Sequence, residues 1–422
     1  MHPIHRLAAL VLVATSVIGL HSPAFAGGLF LYEFGTRDVG LAAAGWSSRA
    51  DDAATLFRNP AGMSRLEGSS VLLGAQAIYG DLGFVPNSNT TTSGGDGGNP
   101  IGFLPGGSAF YVRTLPSGWS FGAGALSYFG LAAEYEDGWV GRYYVEKSTM
   151  LGLTLMPAVS YKASEVFSIG AGLNAMYGVL EDRVAVPNFA SGGDGDLTIE
   201  DKTWGFGANV GAHIETASGT RIGATYLSQV NLDFQDVPEF NDLGPLALSA
   251  MDRKGLGGAE LGLGLNVPMA LMLSLSQPLS EGWKLHANGG WQNWKEFGKV
   301  HVSVADTLLD ATTTSTLKDT WHGALGFEWK YSETWVFRTG FAYDSSPVED
   351  EDRVLALPLG ATYRIGLGAQ THASESVDVG LAYDLTYMGD LPVDQMRGPI
   401  AGRVAGDFAD SMLHAFAIHV EW

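Results

Sequence analysis

The feature that most constrains this chain is a two-residue alternation that recurs along nearly its whole length. From Val377 to Tyr387, Val377, Val379, Leu381, Tyr383, Leu385 and Tyr387 occupy one parity, and Asp378, Gly380, Ala382, Asp384 and Thr386 the other. Successive side chains of a strand point to opposite faces, so such a segment is a strand with one apolar and one polar or small face. Trp335, Phe337, Phe341 and Tyr343 stand in the same way against Arg338, Gly340 and Asp344. Trp321, Leu325, Phe327, Trp329 and Tyr331 oppose His322, Gly326, Glu328 and Lys330, and Ile222, Ala224, Tyr226, Val230, Leu232 and Phe234 oppose Arg221, Thr225, Gln229, Asn231 and Asp233. In a soluble sandwich the apolar face is mostly aliphatic. Here aromatic residues gather towards strand ends, as in the two girdles of a membrane barrel whose polar parity faces the lumen. A large soluble β-domain is the alternative on pattern alone. Beyond residue 26 there is no 18-residue apolar stretch, so a membrane is crossed by strands or not at all.

About fourteen such segments lie near 69–80, 107–115, 118–130, 149–163, 166–181, 203–217, 219–234, 259–278, 282–303, 319–332, 334–345, 357–373, 376–388 and 412–422. Each reaches the ~9–11 residues that a tilted strand needs to span a bilayer. An even count suits a closed antiparallel barrel with every backbone group paired, and twelve or sixteen are the neighbouring solutions. The fold class expected is therefore all-β, an antiparallel transmembrane barrel. Polar or glycine-rich stretches at 84–106, 187–202 and 235–258 read as extracellular loops. The last strand carries Phe416, Ile418, Val420 and Trp422 on one parity, as in the terminal strands that barrel-assembly machinery recognises. His414 and His419, five residues apart, fall on opposite faces and make no metal pair.

The chain opens with His5 and Arg6, an apolar run from Leu7 to Leu20, and then Ala24-Phe25-Ala26. That is the order of a secretory signal peptide over 1–26. Composition closes off several chemistries. Asp and Glu number 45 against 24 Lys and Arg, giving a formal charge of -21, which repels nucleic acid. With no cysteine, disulfides, thiolate metal sites and thiol nucleophiles are all excluded. The 57 glycines beside 11 Trp, 15 Tyr and 20 Phe point to tight turns and to strands bearing large outward side chains. Gly118-Trp119-Ser120-Phe121-Gly122 matches a nucleophile elbow in letters, but it lies inside an alternating strand rather than at a strand-to-helix turn. The chain is read as no enzyme, without cofactor.

Residues 27–68 do not alternate. They contain Gly27-Gly28-Leu29-Phe30-Leu31-Tyr32-Glu33-Phe34, Arg49-Ala50-Asp51-Asp52-Ala53-Ala54 and Arg58-Asn59-Pro60-Ala61-Gly62-Met63. Ala42, Ala43 and Ala44 suit short helices, and Asn59-Pro60 ends one. This stretch resembles the N-terminal hatch of the FadL/TodX outer-membrane transporters of long-chain fatty acids and other hydrophobic compounds. The Ala-Asp-Asp-Ala and Asn-Pro-Ala elements carry most of the likeness. It continues in Tyr128-Phe129-Gly130-Leu131-Ala132-Ala133-Glu134-Tyr135, in Trp204-Gly205-Phe206-Gly207 and in Phe337 to Val348. The resemblance implies a signal peptide over 1–26, a hatch over 27–68 and a fourteen-stranded barrel over 69–422, in the outer membrane of a Gram-negative bacterium. It further implies capture of a hydrophobic ligand by outer loops, transfer to an interior pocket, release by movement of the N-terminal segment, and a lateral path through the wall at an inward kink in the third strand.

Lipopolysaccharide excludes greasy solutes and a water-filled pore offers them nothing, so such a transporter must present apolar surface. Leu29 and Phe30, with Leu31, Tyr32 and Phe34, are candidates to line or block an interior pocket, with packing for stability alone as the alternative. Asn59, Pro60 and Ala61 are candidate hatch or gating residues, and Gly130 the candidate kink. Phe103, Leu104, Leu246 and Leu248, with Ile101, Leu243 and Met251, form apolar islands in polar connections and are candidate capture surface. A carboxylate ligand calls for a cation. The family position matches Arg183 best, and a second falls near Lys299 to His301. Pairing of Arg183 with Glu181 or Asp182 at the rim is the other possibility. The expected partners are the ligand, outer-membrane lipid with lipopolysaccharide, and the assembly machinery, with the protein a monomer that needs no energy source of its own. Fatty acids are the first expectation and hydrocarbons the second, ahead of a general porin or an outer-membrane lipase.

Overall fold

A computed structural model describes residues 30–188, 193–245, 248–249, 258, 260–297, 299–304, 310–314 and 316–422. The proposed signal segment, Leu29, Leu246 and Met251 lie outside them. The strands are β1 (Ser69–Pro86), β2 (Gly102–Thr114), β3 (Trp119–Glu134), β4 (Lys147–Lys162), β5 (Phe167–Val186), β6 (Gly195–Glu215) and β7 (Arg221–Leu227). There follow β8 (Val230–Asp236), β9 (Glu239–Asn241), β10 (Leu261–Val267), β11 (Ala270–Ser280), β12 (Trp283–Gln292), β13 (Lys299–Val304) and β14 (Asp310–Thr314). The last are β15 (Thr320–Lys330), β16 (Trp335–Asp344), β17 (Thr362–Ser374), β18 (Val377–Met396) and β19 (Arg403–Glu421).

Fourteen of these, β1–β7, β11, β12 and β15–β19, close into one antiparallel barrel in which β1 pairs with both β2 and β19. Its polarity is inverted relative to a soluble protein. Leu381 on the outer parity is 62% exposed, whereas Asp384 on the inner parity is 3% exposed. Short turns join the strands at one end, 115–118, 163–166, 216–220, 281–282, 331–334 and 375–376, and long connections at the other, which sets the short end in the periplasm. Two aromatic belts mark the interfaces. Trp119 meets Tyr161 at 4.8 Å and Trp283 meets Trp329 at 5.4 Å near the periplasmic end, while Tyr177–Trp204 and Tyr343–Tyr363 pair at 5.1 and 5.2 Å near the other.

Three expected segments divide. The stretch 219–234 becomes β7 in the wall and β8 outside it, 259–278 becomes β10 and β11, and 282–303 becomes β12, a helical turn at Trp294–Phe297 and β13. The displaced strands form a second sheet in the order β14-β13-β10-β8. The amide of Ser228 still donates to the Ala208 carbonyl of β6 at 2.8 Å. Beyond it, Leu232 and Phe234 are buried, and a Cβ on either Gly178 or Gly205 of the inner wall would press against Leu232. Burial of this apolar face draws β8 inward. Several strands also outrun the expected ends. β1 reaches Pro86 past a bulge between Asp81 and Gly83, and β18 reaches Met396 past bulges around Gly389. Each bulge resets the parity, so the alternation does not run through it. β6 begins at Gly195, which shortens the loop expected over 187–202.

Residues 30–68 fill the lumen. They contain α1 (Thr36–Gly40), α2 (Thr55–Arg58) and a 3₁₀ turn (Pro60–Arg65), with nearly every residue buried before the first wall strand begins at Ser69.

Candidate functional site

The hatch is held by buried charge. Asp38 accepts from both Arg49 and Arg58, the latter at 2.8 Å, and Arg37 bridges Asp52 at 2.9 Å and Glu421 of β19 at 2.8 Å. Arg58 also pairs with Asp52, whose Oδ1 accepts the Ala54 amide at 2.9 Å. A second anchor lies higher, where Arg364 of β17 joins Glu33 of the hatch to Asp344 of β16, which in turn holds His322 at 2.8 Å.

Glycines of the inner wall let the hatch backbone approach closely. A Cβ at Gly223 would overlap the Ser47 carbonyl, at Gly340 the Leu41 carbonyl, and at Gly366 the Val39 carbonyl. Asn59 is built in similarly. Its Nδ2 donates to the carbonyls of Ser47 (2.7 Å) and Ala212 of β6 (3.0 Å), while its Oδ1 accepts the Ala61 amide at 3.1 Å. Pro60 and Ala61 rest on Gly170, where a Cβ would strike them. Asn59, Pro60 and Ala61 thus sit together at the β5–β6 wall.

The first described residues are held differently. The Leu31 amide donates to the Tyr128 carbonyl at 2.9 Å, and Phe30 forms an isolated antiparallel bridge with Phe129. Here β3 shifts register between Ser127 and Phe129, so Tyr128 and Phe129 both turn inward. Gly130 follows this bulge, and a Cβ there would press on Leu151 and the Met150 carbonyl. Phe30 packs on Tyr32 and Tyr128 at 5.1 and 5.5 Å, Phe57 on Tyr128 at 5.0 Å, and Phe297 on Phe129 at 5.8 Å. The same apolar cluster continues through Leu232, Phe234 and Leu265 to Trp139, Leu355 and Phe408 under the extracellular loops. Trp139 stacks on Tyr135 with centroids 3.8 Å apart.

The remaining candidates disperse. Arg183 lies on the outward parity at the top of β5, its side chain 33% exposed, between Glu134 (3.8 Å) and Glu146 (3.5 Å) rather than Glu181 or Asp182. Burial raises the Glu146 carboxyl above its ordinary range, and Arg183 opposes the rise. Lys299 lies on β13 opposite Thr314, outside the barrel wall. Phe103 is 71% exposed on β2 and pairs with Tyr79 at 4.8 Å, which makes it part of the upper belt. Leu104 packs against the apolar cluster, and Leu248 is exposed. The structure therefore brings Phe30 next to the bulge before Gly130 and leaves Arg183, Phe103 and Leu248 apart from it. His414 bonds the Tyr383 hydroxyl at 2.8 Å, while His419 bonds Thr36 at 2.6 Å in the lumen. Trp139, Trp294 and Phe297 escaped the sequence reading. Their signal is a large aromatic residue in a connection that has no alternation to explain it. Concave surfaces of about 1190 and 910 Å³ lie on the outer wall, lined by side chains of the lipid-facing parity such as Tyr226, Leu271, Phe327 and Leu367.

A barrel with this plug has known counterparts. A 28% identical relative over 403 residues, covering 88% of this chain and 90% of the other, is the long-chain fatty acid transport protein of Salmonella typhi. Outer membrane protein P1 of Haemophilus influenzae is 26% identical over 426 residues, covering 88% and 89%. Among solved structures, a Pseudomonas aeruginosa FadL homologue superposes with TM-score 0.86 at 19% identity, covering 94% and 99%, and the Pseudomonas putida toluene transporter TodX with 0.66 at 16%, covering 93% and 98%. These two share the fold. Residues 17–407 match the family described as outer membrane protein transport protein (OMPP1/FadL/TodX), and the chain belongs to that family.

Proposed function

We propose that this outer-membrane transporter takes up long-chain fatty acids passively, by loop capture, passage along the interior apolar cluster and release at the bulge in β3. The observation that carries the reading is the docking of Phe30 and Leu31 on Tyr128–Phe129, at the lower end of an apolar path that begins under the extracellular loops. Among the described residues, one main-chain hydrogen bond and ring contacts hold that segment, so an apolar chain entering the cluster competes with it for the same surface. Curated relatives at 26–28% identity named long-chain fatty acid transport proteins support the substrate class. One observation favours hydrocarbons as the second reading, namely that Arg183 is engaged by two rim carboxylates. The test is uptake of labelled oleate, toluene and an alkane by cells without their own transporter of this type. Oleate uptake supports the first reading and hydrocarbon uptake alone the second. No uptake of either by a correctly inserted barrel rejects transport.

A further inference from the structure

Among the described side chains, every lysine and arginine of the extracellular loops and strand tops has a carboxylate within 4.0 Å except Arg397. Arg142 pairs with Asp194, Lys147 with Glu181, Arg183 with Glu134 and Glu146, and Lys202 with Glu200. Lys295 pairs with Asp319, Lys318 with Glu349, Arg353 with Asp350, and Arg403 with Asp394. Arg397 follows β18 in the connection to β19. Its Nη1 donates to the Tyr143 carbonyl at 3.0 Å, and its guanidinium carbon lies 5.6 Å from the centre of the Tyr144 ring. Its Nε and Nη2 are buried with no hydrogen-bond partner. Tyr144 beside it belongs to the interior apolar cluster, as do Val145, next in sequence to Tyr144, and Ala401 and Val404, which follow Arg397 in the chain. Carboxylates are not scarce in a chain with 45 of them against 24 cations.

A buried donor without an acceptor is unfavourable until one arrives. The two vacant nitrogens are also the adjacent pair along one edge of the guanidinium, whose parallel N–H bonds match the two oxygens of a carboxylate. We infer that Arg397 is the head-group contact of an anionic amphiphile, taking its carboxylate through Nε and Nη2 while the tail lies along the apolar cluster beside Tyr144. This rests on the fatty-acid reading above and adds the cation that Arg183, held at the rim, does not offer to the interior. The vacant edge faces buried surroundings rather than the outer leaflet, which favours a transported acid over the phosphates of lipopolysaccharide.

The test compares uptake of labelled oleate with that of the neutral alcohol of the same chain, at concentrations well below saturation, for the unaltered protein, Arg397→Gln and Arg397→Lys. Arg397→Gln is expected to lower oleate uptake about tenfold, the factor expected from a single charge-assisted contact, and to leave the alcohol unchanged. Arg397→Lys, which keeps the charge and loses the fork, is expected to recover part of it. Equal losses for acid and alcohol would make Arg397 a structural part of the β18–β19 connection and overturn the inference, as would unchanged oleate uptake. A defect seen in cells but absent from vesicles reconstituted without lipopolysaccharide would assign the arginine to that lipid and overturn it too. Failure of the unaltered protein to carry oleate would remove the fatty-acid reading and this inference together, which separates that failure from the others.

Discussion

The two parts of the hatch are held by different physics. From Glu33 to Met63 it is fixed by buried ion pairs of Arg49 with Asp38 and of Arg37 with Asp52 inside the hatch, by those of Glu33 with Arg364 and Arg37 with Glu421 on the wall, and by main-chain contact with wall glycines. Phe30 and Leu31 are held, among the described residues, by rings and one main-chain hydrogen bond at a bulge. Ionic anchors are directional and leave a costly unpaired charge when broken. Apolar contacts are non-directional and can be replaced by any other apolar surface. On the proposed transport route, the body of the plug stays in place while its leading residues exchange with ligand.

The harshest way to break that comparison is Asp38→Ala. It strands Arg49 in a buried site and leaves Arg58 with Asp52 but without Asp38, with an expected loss of about 3–5 kcal/mol, to be read from the urea midpoint of the purified barrel. An unshifted midpoint would remove the ionic anchor from the account. Gly223→Ala comes next, because its methyl would overlap the Ser47 carbonyl. An overpacking loss of about 1–3 kcal/mol and entry of large polar antibiotics into cells are expected, and normal exclusion would show that the hatch seats without the close approach. A Phe30→Cys/Phe129→Cys pair sharpens the other side of the comparison. Directly opposed residues of an antiparallel bridge lie about 4.5–5.5 Å apart at Cα, which suits a disulfide, and the chain has no other cysteine. Oxidation is expected to leave the barrel stable and stop oleate uptake, with recovery on reduction. Uptake through the oxidised form would show that the leading residues need not move.

The smallest effect is expected from Arg183→Ala. Its partly exposed pairs are worth about 0–1 kcal/mol, and oleate uptake should persist. The variant also has a pH signature. The half-buried Glu146 carboxyl is raised above its unfolded value, so its contribution is fully favourable while protonated and declines as pH rises from the unfolded value towards the folded one. Without Arg183 to oppose the rise, that decline extends to higher pH, measurable as protease cleavage of the 135–146 loop across the acidic-to-neutral range. Selective loss of oleate uptake would instead return Arg183 to ligand recognition.

The wall was legible in the sequence because lipid demands large apolar side chains on every second residue, and Leu381, Trp321 and Phe416 supply them. Alternation identifies a strand but not its neighbour, so nothing in Val230, Leu232 and Phe234 announced that β8 leaves the barrel. The hatch was legible as a non-alternating segment, but its anchors join distant parts of the chain. Arg37 finds Glu421 and Glu33 finds Arg364, pairs that no local pattern contains. Nor did the glycine count reveal which glycines face the plug, since that depends on register. The unpaired state of Arg397 was equally invisible, because it is defined by what the surrounding loops withhold.

The ties between α1 and β19 bear on the order of biogenesis. Arg37 reaches Glu421 and Thr36 reaches His419 on the strand whose ladder with β1 shuts the barrel. Until that ladder zips, the hatch lacks two of its attachments, and once it has zipped the lumen is no longer open from the side. Closing the wall therefore completes two of the plug's attachments, so that a seated plug and a closed wall stabilise each other.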